Sequence, residues 1–284
     1  MTRRICYYHA GCPDGFGAAW AVRRAWGEDG EYQPRGHDED LPLGELRGAT
    51  VAFVDMAPAN APLRALARVA GQVLVLDHHL SSRDRWLAEP ALGDALRDEG
   101  HVVHFDLQHS GAVLAWRHFH TGKPVPDLLA YVEDQDLWRF ALPRSREVNA
   151  AVTAHPRDFD VWDRLAEIAP EKLAEEGTPI LRAQHAEVER ALGGAHPIWI
   201  GGLRVEAVNA VFQRAQIGHA LAERAAFGAP AGAVYRIVGR RVDVSLYSIG
   251  DLDVAAVASK YNGGGHRNAA GFSVPLEAWS QDFA

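Results

Sequence analysis

Apolar runs that break off at polar residues punctuate the first third of the chain. Ile5-Cys6-Tyr7-Tyr8 stops at His9 and gives way to helical spacing over 15–26, which predicts strand, loop and helix. Thr50-Val51-Ala52-Phe53-Val54 stops at Asp55, and Leu63, Leu66, Ala67 and Ala70 then recur at helical intervals within 61–70. A third run, Val73-Leu74-Val75-Leu76, stops at Asp77. None of the three alternates with polar residues, which is the pattern of strands buried on both faces. The spacing therefore predicts an α/β fold, a parallel sheet with helices on both faces. Further helices are predicted over 111–121, with Ser110 as N-cap, and over 127–134.

Beyond this the pattern changes. Residues 171–192 are rich in Ala, Glu and Arg and lie between Pro170 and Gly193-Gly194, the signature of a connecting helix. After it, 203–208 and 241–246 alternate as strands facing a core on one side, 216–224 reads as helix, and Gly263-Gly264-Gly265-His266 closes a smaller α+β unit. The organisation expected is a first domain over 1–170, a connector over 171–193 and a second domain over 194–284. A length of 284 residues suits two domains of roughly 150 each.

Composition narrows the function classes. With 48% hydrophobic and 23% charged residues the chain has a globular mixture. The formal net charge of −8 argues against a long duplex nucleic acid as partner, which would need many Lys and Arg. A small anionic substrate stays open, because bound cations can supply local positive charge. Cys6 and Cys12 are the sole cysteines, which fits a reducing, cytoplasmic location. His9, Gly11, Pro13 and Asp14 interrupt any signal-peptide core after Arg3 and Arg4, and no run reaches the ~18 apolar residues of a membrane span. Trp162, Trp199 and Trp279 are read as core or domain-packing residues, and His101, His104, His109, His118 and His120 as solvated or capped side chains rather than a metal centre.

The candidate chemistry lies where the runs end. Ligands of parallel sheets bind beyond the carboxyl ends of the strands. His9, Asp55 and Asp77-His78-His79 stand there in three successive units, and Asp14 and Asp136 add two further carboxylates. Neighbouring divalent ions need several carboxylates, ideally one bridging, with imidazoles to complete the shells; this set favours two Mn²⁺ ions over a thiolate-type zinc site, with Mg²⁺ the alternative. In the second domain Gly264 and Gly265 let backbone N–H groups approach an anion, and His266 and Arg267 can add charge-assisted hydrogen bonds.

These residues resemble the DHH phosphoesterase superfamily with its DHH-associated C-terminal domain, over nearly the whole chain and in the same order. His9 to Gly15 (HAGCPDG) resembles the first motif, Asp55 in FVDMAP the second, Asp77-His78-His79 the third, and Asp136 in DLWRF the fourth. GGGHRNAAGF, Gly263 to Phe272, is similar to the C-terminal signature of the members that act on nucleotides. The resemblance implies a metal-dependent phosphohydrolase acting on short oligonucleotides or small nucleotides: an exonuclease of very short RNA, a nucleoside 3′,5′-bisphosphate phosphatase, or a cyclic-dinucleotide phosphodiesterase. It implies that Asp55 bridges two ions, that His9 and Asp14 serve the first, and that His78 and Asp136 serve the second. Asp77 would orient the site, His79 would touch metal or phosphate, and His266 with Gly264 and Gly265 would hold the substrate end. Two departures stand out. Cys12 and Phe16 occupy places where relatives carry a second carboxylate, leaving Cys12 as a substitute ligand or the second ion weakly held; Tyr247 stands where relatives often place a substrate-binding Arg. The rival readings are an inorganic polyphosphatase, against which the GGGH segment argues, and a nucleotide-binding module without catalysis. Pairing into a homodimer is left open.

Overall fold

A computed structural model describes residues 2–36 and 39–283. The chain divides into two compact units, Met1–Leu181 and Arg182–Ala284. No helix among the described residues is long and apolar enough to cross a membrane.

The first unit contains strands β1 (Arg4–His9), β2 (Gly30–Arg35), β3 (Thr50–Val54), β4 (Gln72–Asp77) and β5 (Val102–Phe105), and helices α1 (Pro13–Trp26), α2 (Asn60–Ala67), α3 (Leu80–Leu87), α4 (Pro90–Asp98), α5 (Gly111–Phe119), α6 (Asp127–Asp136), α7 (Ser145–Ala154) and α8 (Phe159–Leu165). Its five strands run parallel in the order β2-β1-β3-β4-β5. Each apolar strand run is shared between two cores, which explains the missing alternation. Cys6, Ala52, Val54, Leu74 and Leu76 pack with Trp20, Ala112 and Leu129 of α1, α5 and α6. Ile5, Tyr7, Val51, Phe53, Val73 and Val75 face the other way, onto Leu63 and Leu66 of α2 and Leu92 and Leu96 of α4. Gly17 lets α1 lie close on its neighbours: a Cβ there would stand 3.1 Å from both Ala112 and Leu129.

The differences from the sequence pattern have physical causes. The edge strands β2 (GEYQPR) and β5 (VVHF) have no continuous apolar run, because an edge strand need not be buried and β2 even tolerates Pro34. Helix α2 stops at Ala67, three residues short of the apolar spacing. Helix α6 continues past 134 and ends on Asp136 itself.

Helix α9 (Pro170–Leu192) runs through the division between the units, with Pro179 inside it. The second unit holds β6 (His196–Ile200), β7 (Leu203–Asn209), α10 (Arg214–Arg224), β8 (Ala231–Val238), β9 (Arg241–Ser248), α11 (Val254–Ser259), β10 (Gly264–His266), β11 (Ala269–Pro275) and α12 (Leu276–Asp282). Its sheet has the order β10-β11-β9-β8-β7-β6 and is antiparallel except between β7 and β8. Alternation in β9 sends Val242, Val244 and Leu246 into a core with Ile198, Phe272 and Trp279. Trp162 and Trp279 are buried as expected, but Trp199 is 60% exposed. It lies on edge strand β6 between the inward Ile198 and Ile200, so the period of two points it outward.

Candidate active site

The site in the first unit is assembled at the carboxyl edge of the parallel sheet. His9 is the last residue of β1, Asp77 the last of β4, and Asp55 the first residue after β3. Asp55 takes a left-handed backbone (φ 57°) while its N–H donates to the Leu76 carbonyl, 2.9 Å away, tying it to β4. Such a conformation is unfavourable for Asp and persists where surrounding structure enforces it. Asp14 comes from the first turn of α1 and Asp136 from the end of α6.

His78 is the meeting point. Its Nε2 lies 3.0 Å from Asp55 Oδ1, 3.5 Å from Asp136 Oδ2 and 3.6 Å from Asp14 Oδ2. Asp14, Asp55 and His78 are buried, whereas the Asp136 side chain is 29% exposed. On its other oxygen, Oδ2, Asp55 is 3.3 Å from His9 Nδ1 and accepts from the Cys12 thiol at 3.3 Å. Ligand atoms of Asp14, Asp55 and His78 lie within 4.8 Å of one another, and so do those of His9, Asp55 and His79. Asp55 thus belongs to both groups. This grouping crosses the one implied by resemblance, since Asp14 stands with His78 rather than with His9.

The surrounding electrostatics follow from burial and from these neighbours. Burial, then Asp55 and Asp136, push the Asp14 carboxyl well above its usual range. Burial also acts to raise Asp55, but hydrogen bonds from His78 and His9 outweigh it and hold Asp55 well below. His78 is opposed by burial and yet raised to about 10 by Asp55, Asp136 and Asp14. Several carboxylates drawn together around one imidazole form a strongly negative pocket, so positive charge is favoured there whether a proton or a cation supplies it. The donor set, buried oxygens and imidazole nitrogens, fits divalent ions.

Asp77 has a different task. Its Oδ1 accepts from the backbone N–H groups of His78 and His79, at 2.8 and 3.3 Å, and stands 2.7 Å from His79 Nδ1. That pins the turn and aims the His79 ring. Asp77 Oδ2 is buried with no hydrogen-bond partner among the described residues, an orphaned acceptor at the edge of the cluster.

Other supporting groups were not legible in the sequence. Gly111 N–H and Ala112 N–H at the start of α5 donate to the two oxygens of Asp14, at 2.7 and 3.1 Å, so the positive end of α5 faces this carboxylate. Gly111 is required by close approach: a Cβ would stand 2.7 Å from Asp55 Cα and 2.8 Å from Asp55 Oδ1. Ser110 Oγ caps α5 by accepting from Val113 N–H, and its own N–H donates to Glu133. The one available signal was the N-cap sequence Ser110-Gly111. Phe16 is fully packed, stacked on Phe159 and edge-on to Trp162. His101 accepts from Val73 N–H, His120 donates to the Ala21 carbonyl, and His109 pairs with Glu133, so these histidines hold the fold.

In the second unit, Gly264, Gly265 and His266 form β10, paired in register with Gly271, Ala270 and Ala269 of β11. The glycines have a packing reason. A Cβ on Gly263 would run into the backbone of Gly271, and one on Gly265, whose φ is 142°, would meet Ala269 and Ala270. Arg267 donates to the Asp251 carbonyl at 2.8 Å and lies 3.5 Å from its carboxylate. Tyr247 fills the space above Gly218 of α10, and Arg214 beside it donates to Ser245 Oγ at 3.1 Å.

Residues 205–283 match the family model of the DHHA1 domain. Over 290 residues the chain is 25% identical to the uncharacterized protein R106 of Acanthamoeba polyphaga mimivirus, an alignment covering 95% of this chain and 67% of the viral protein. The structure of an exopolyphosphatase-related protein from Bacteroides fragilis superposes with a TM-score of 0.50 at 12% identity, covering 95% of this chain and 86% of that one, and has the same fold. A pGpG-specific phosphodiesterase, PggH of Vibrio cholerae, aligns with a TM-score of 0.49 at 12% identity, over 99% of this chain and 96% of its own.

Proposed function

We infer that this chain, a member of the DHH phosphoesterase superfamily with a DHH-associated C-terminal domain, is a metal-dependent phosphohydrolase that cleaves phosphate esters of short oligonucleotides or small nucleotides. The observation that carries the reading is the sharing of Asp55 between two donor groups, Asp14–Asp55–His78 and His9–Asp55–His79. Two ions, Mn²⁺ or Mg²⁺, would be held by these residues with Asp136 beside His78. When bound, such ions lower the pKa of a water for in-line attack on phosphorus and neutralise charge on the phosphoryl oxygens.

The protein's own residues account for the rest. Asp55, locked by its contact with Gly111 and its bond to Leu76, sets the spacing of the two groups. Gly111 and Ala112 use up one lone pair on each Asp14 oxygen and leave the others for a ligand. Asp77 holds the His79 ring in place, where it would meet metal or the substrate phosphate. His266, on strand β10, would hold the substrate end, assisted by Gly264, Gly265 and Arg267 of the same segment. A small nucleotide suits the chain's net negative charge better than duplex nucleic acid does.

The test is a substrate panel of dinucleotide, nucleoside bisphosphate, cyclic dinucleotide and inorganic polyphosphate, assayed with Mn²⁺ and again with excess chelator. Turnover of a nucleotide substrate that chelator abolishes is expected. Turnover of polyphosphate alone would replace the reading with a polyphosphatase, and binding without turnover would replace it with a nucleotide-binding module.

A further inference from the structure

Cys12 has more neighbours than a helix cap needs. Its Sγ accepts from Gly15 N–H at 3.2 Å and so caps α1. The same sulfur also lies 3.4 Å from His9 Nδ1 and 3.3 Å from Asp55 Oδ2, while those two atoms are 3.3 Å apart. Three donors from three local elements therefore form a nearly equilateral triangle. Donors bound to one ion at ~2.0–2.3 Å, at angles between roughly 90° and 109°, stand about 2.8–3.8 Å from each other, so the triangle has the size of one face of a coordination shell.

We propose that Cys12 is a ligand, as a thiolate, of the ion that His9 and Asp55 hold, an inference resting on the metal-centre reading above. The local structure keeps the triangle closed. Gly15 admits no side chain, since a Cβ there would collide with the His9 carbonyl, so the end of β1 and the first turn of α1 are locked together. Burial, then Asp55, Asp14 and Asp136, push the Cys12 thiol well up, with the Gly15 N–H opposing them in part, so the thiolate would form as a cation enters and the thiol proton leaves. Cys6, by contrast, is wholly buried within β1 in the core, which leaves Cys12 the cysteine that meets the site.

The consequence is a difference between the two ion positions. Thiolate with imidazole suits a borderline-soft ion such as Zn²⁺ or Co²⁺, whereas the Asp14–Asp55–His78 group, with Asp136 near it, is the harder, oxygen-rich position suited to Mn²⁺ or Mg²⁺. The two positions then differ in the ion they prefer, and activity depends on which ion fills the Cys12 position.

The probe is Co²⁺ alone, added to the full-length protein, with bound metal counted after dialysis and the absorption spectrum recorded. A cobalt–thiolate bond gives an intense near-ultraviolet band that oxygen and nitrogen ligands lack. The band is expected in the wild type and in Cys6→Ser, and is expected to vanish in Cys12→Ser and Cys12→Asp. Cys12→Asp is further expected to lower the preference of Zn²⁺ over Mn²⁺ at least about tenfold in competition. Bound cobalt without the band, or a band that survives Cys12→Ser, overturns the thiolate ligand and leaves the metal centre standing. No bound cobalt in any form overturns the metal centre and this proposal together. Should the variants fail to fold, alkylation of Cys12 in the wild type, mapped by mass spectrometry, is expected to slow at least about tenfold with Co²⁺ present; an unchanged rate overturns the proposal.

Discussion

The two units treat polar groups in opposite ways. In the first, Asp14, Asp55, Asp77 and His78 are removed from water and pressed against one another at the ends of strands. In the second, Gly263 and Gly265 of the motif that looked chemical are demanded by the closeness of β11, and Arg267 is turned onto Asp251. Burying carboxylates beside each other is costly unless cations or donors answer them. A fold that keeps such a cluster therefore has a use for it, whereas closely paired glycines need no such use. The buried ionisable cluster is thus concentrated in the first unit, and substrate binding by the second is part of the proposal.

The sharpest way to break this contrast is to remove the shared carboxylate. Asp55→Asn is expected to lower metal-dependent turnover at least about a thousandfold, equivalent to about 4 kcal/mol of transition-state stabilisation, with secondary structure by circular dichroism unchanged. Gly111→Val attacks the same group without touching a ligand. Its added side chain has nowhere to go but into Asp55, so loss of bound metal and a fall in turnover of about a hundredfold are expected. Retention of full metal content would mean that Asp55 is not held as rigidly as the geometry requires.

Smaller effects test supporting groups. Asp77→Ala removes the acceptor that aims His79, and a loss of activity or metal affinity of ~10–100-fold is expected in steady-state kinetics and metal titration, the size found for residues that orient metal ligands. His266→Ala probes the second unit: KM is expected to rise about tenfold while bound metal stays the same, measured by steady-state kinetics and metal analysis. Loss of metal in that variant would move His266 out of a purely binding role.

How much of this was readable beforehand depends on the kind of signal. Strands β3 and β4 were legible because double-sided burial leaves continuous apolar runs, and the polar residue ending each run marked the site. Edge strands β2 and β5 were not, since half-exposed strands follow no such rule. The positions of His9, Asp55 and Asp77-His78-His79 could be read from strand ends. That Asp14 groups with His78, and that the N–H groups of Gly111 and Ala112 hold it, depends on α5 meeting α1 across nearly a hundred residues, which no local pattern encodes. Cys12 was visible as an oddity in the first motif, but its distances to His9 and Asp55 exist solely in three dimensions.

In the function proposed, Asp55 joins two ion-binding groups into one hydrolytic centre. The most direct test is Mn²⁺-dependent release of mononucleotide from a labelled dinucleotide by wild type and Asp55→Asn, assayed side by side. Steady release by the wild type, abolished by chelator, and none detectable from the variant is expected. Equal release from both proteins would contradict it.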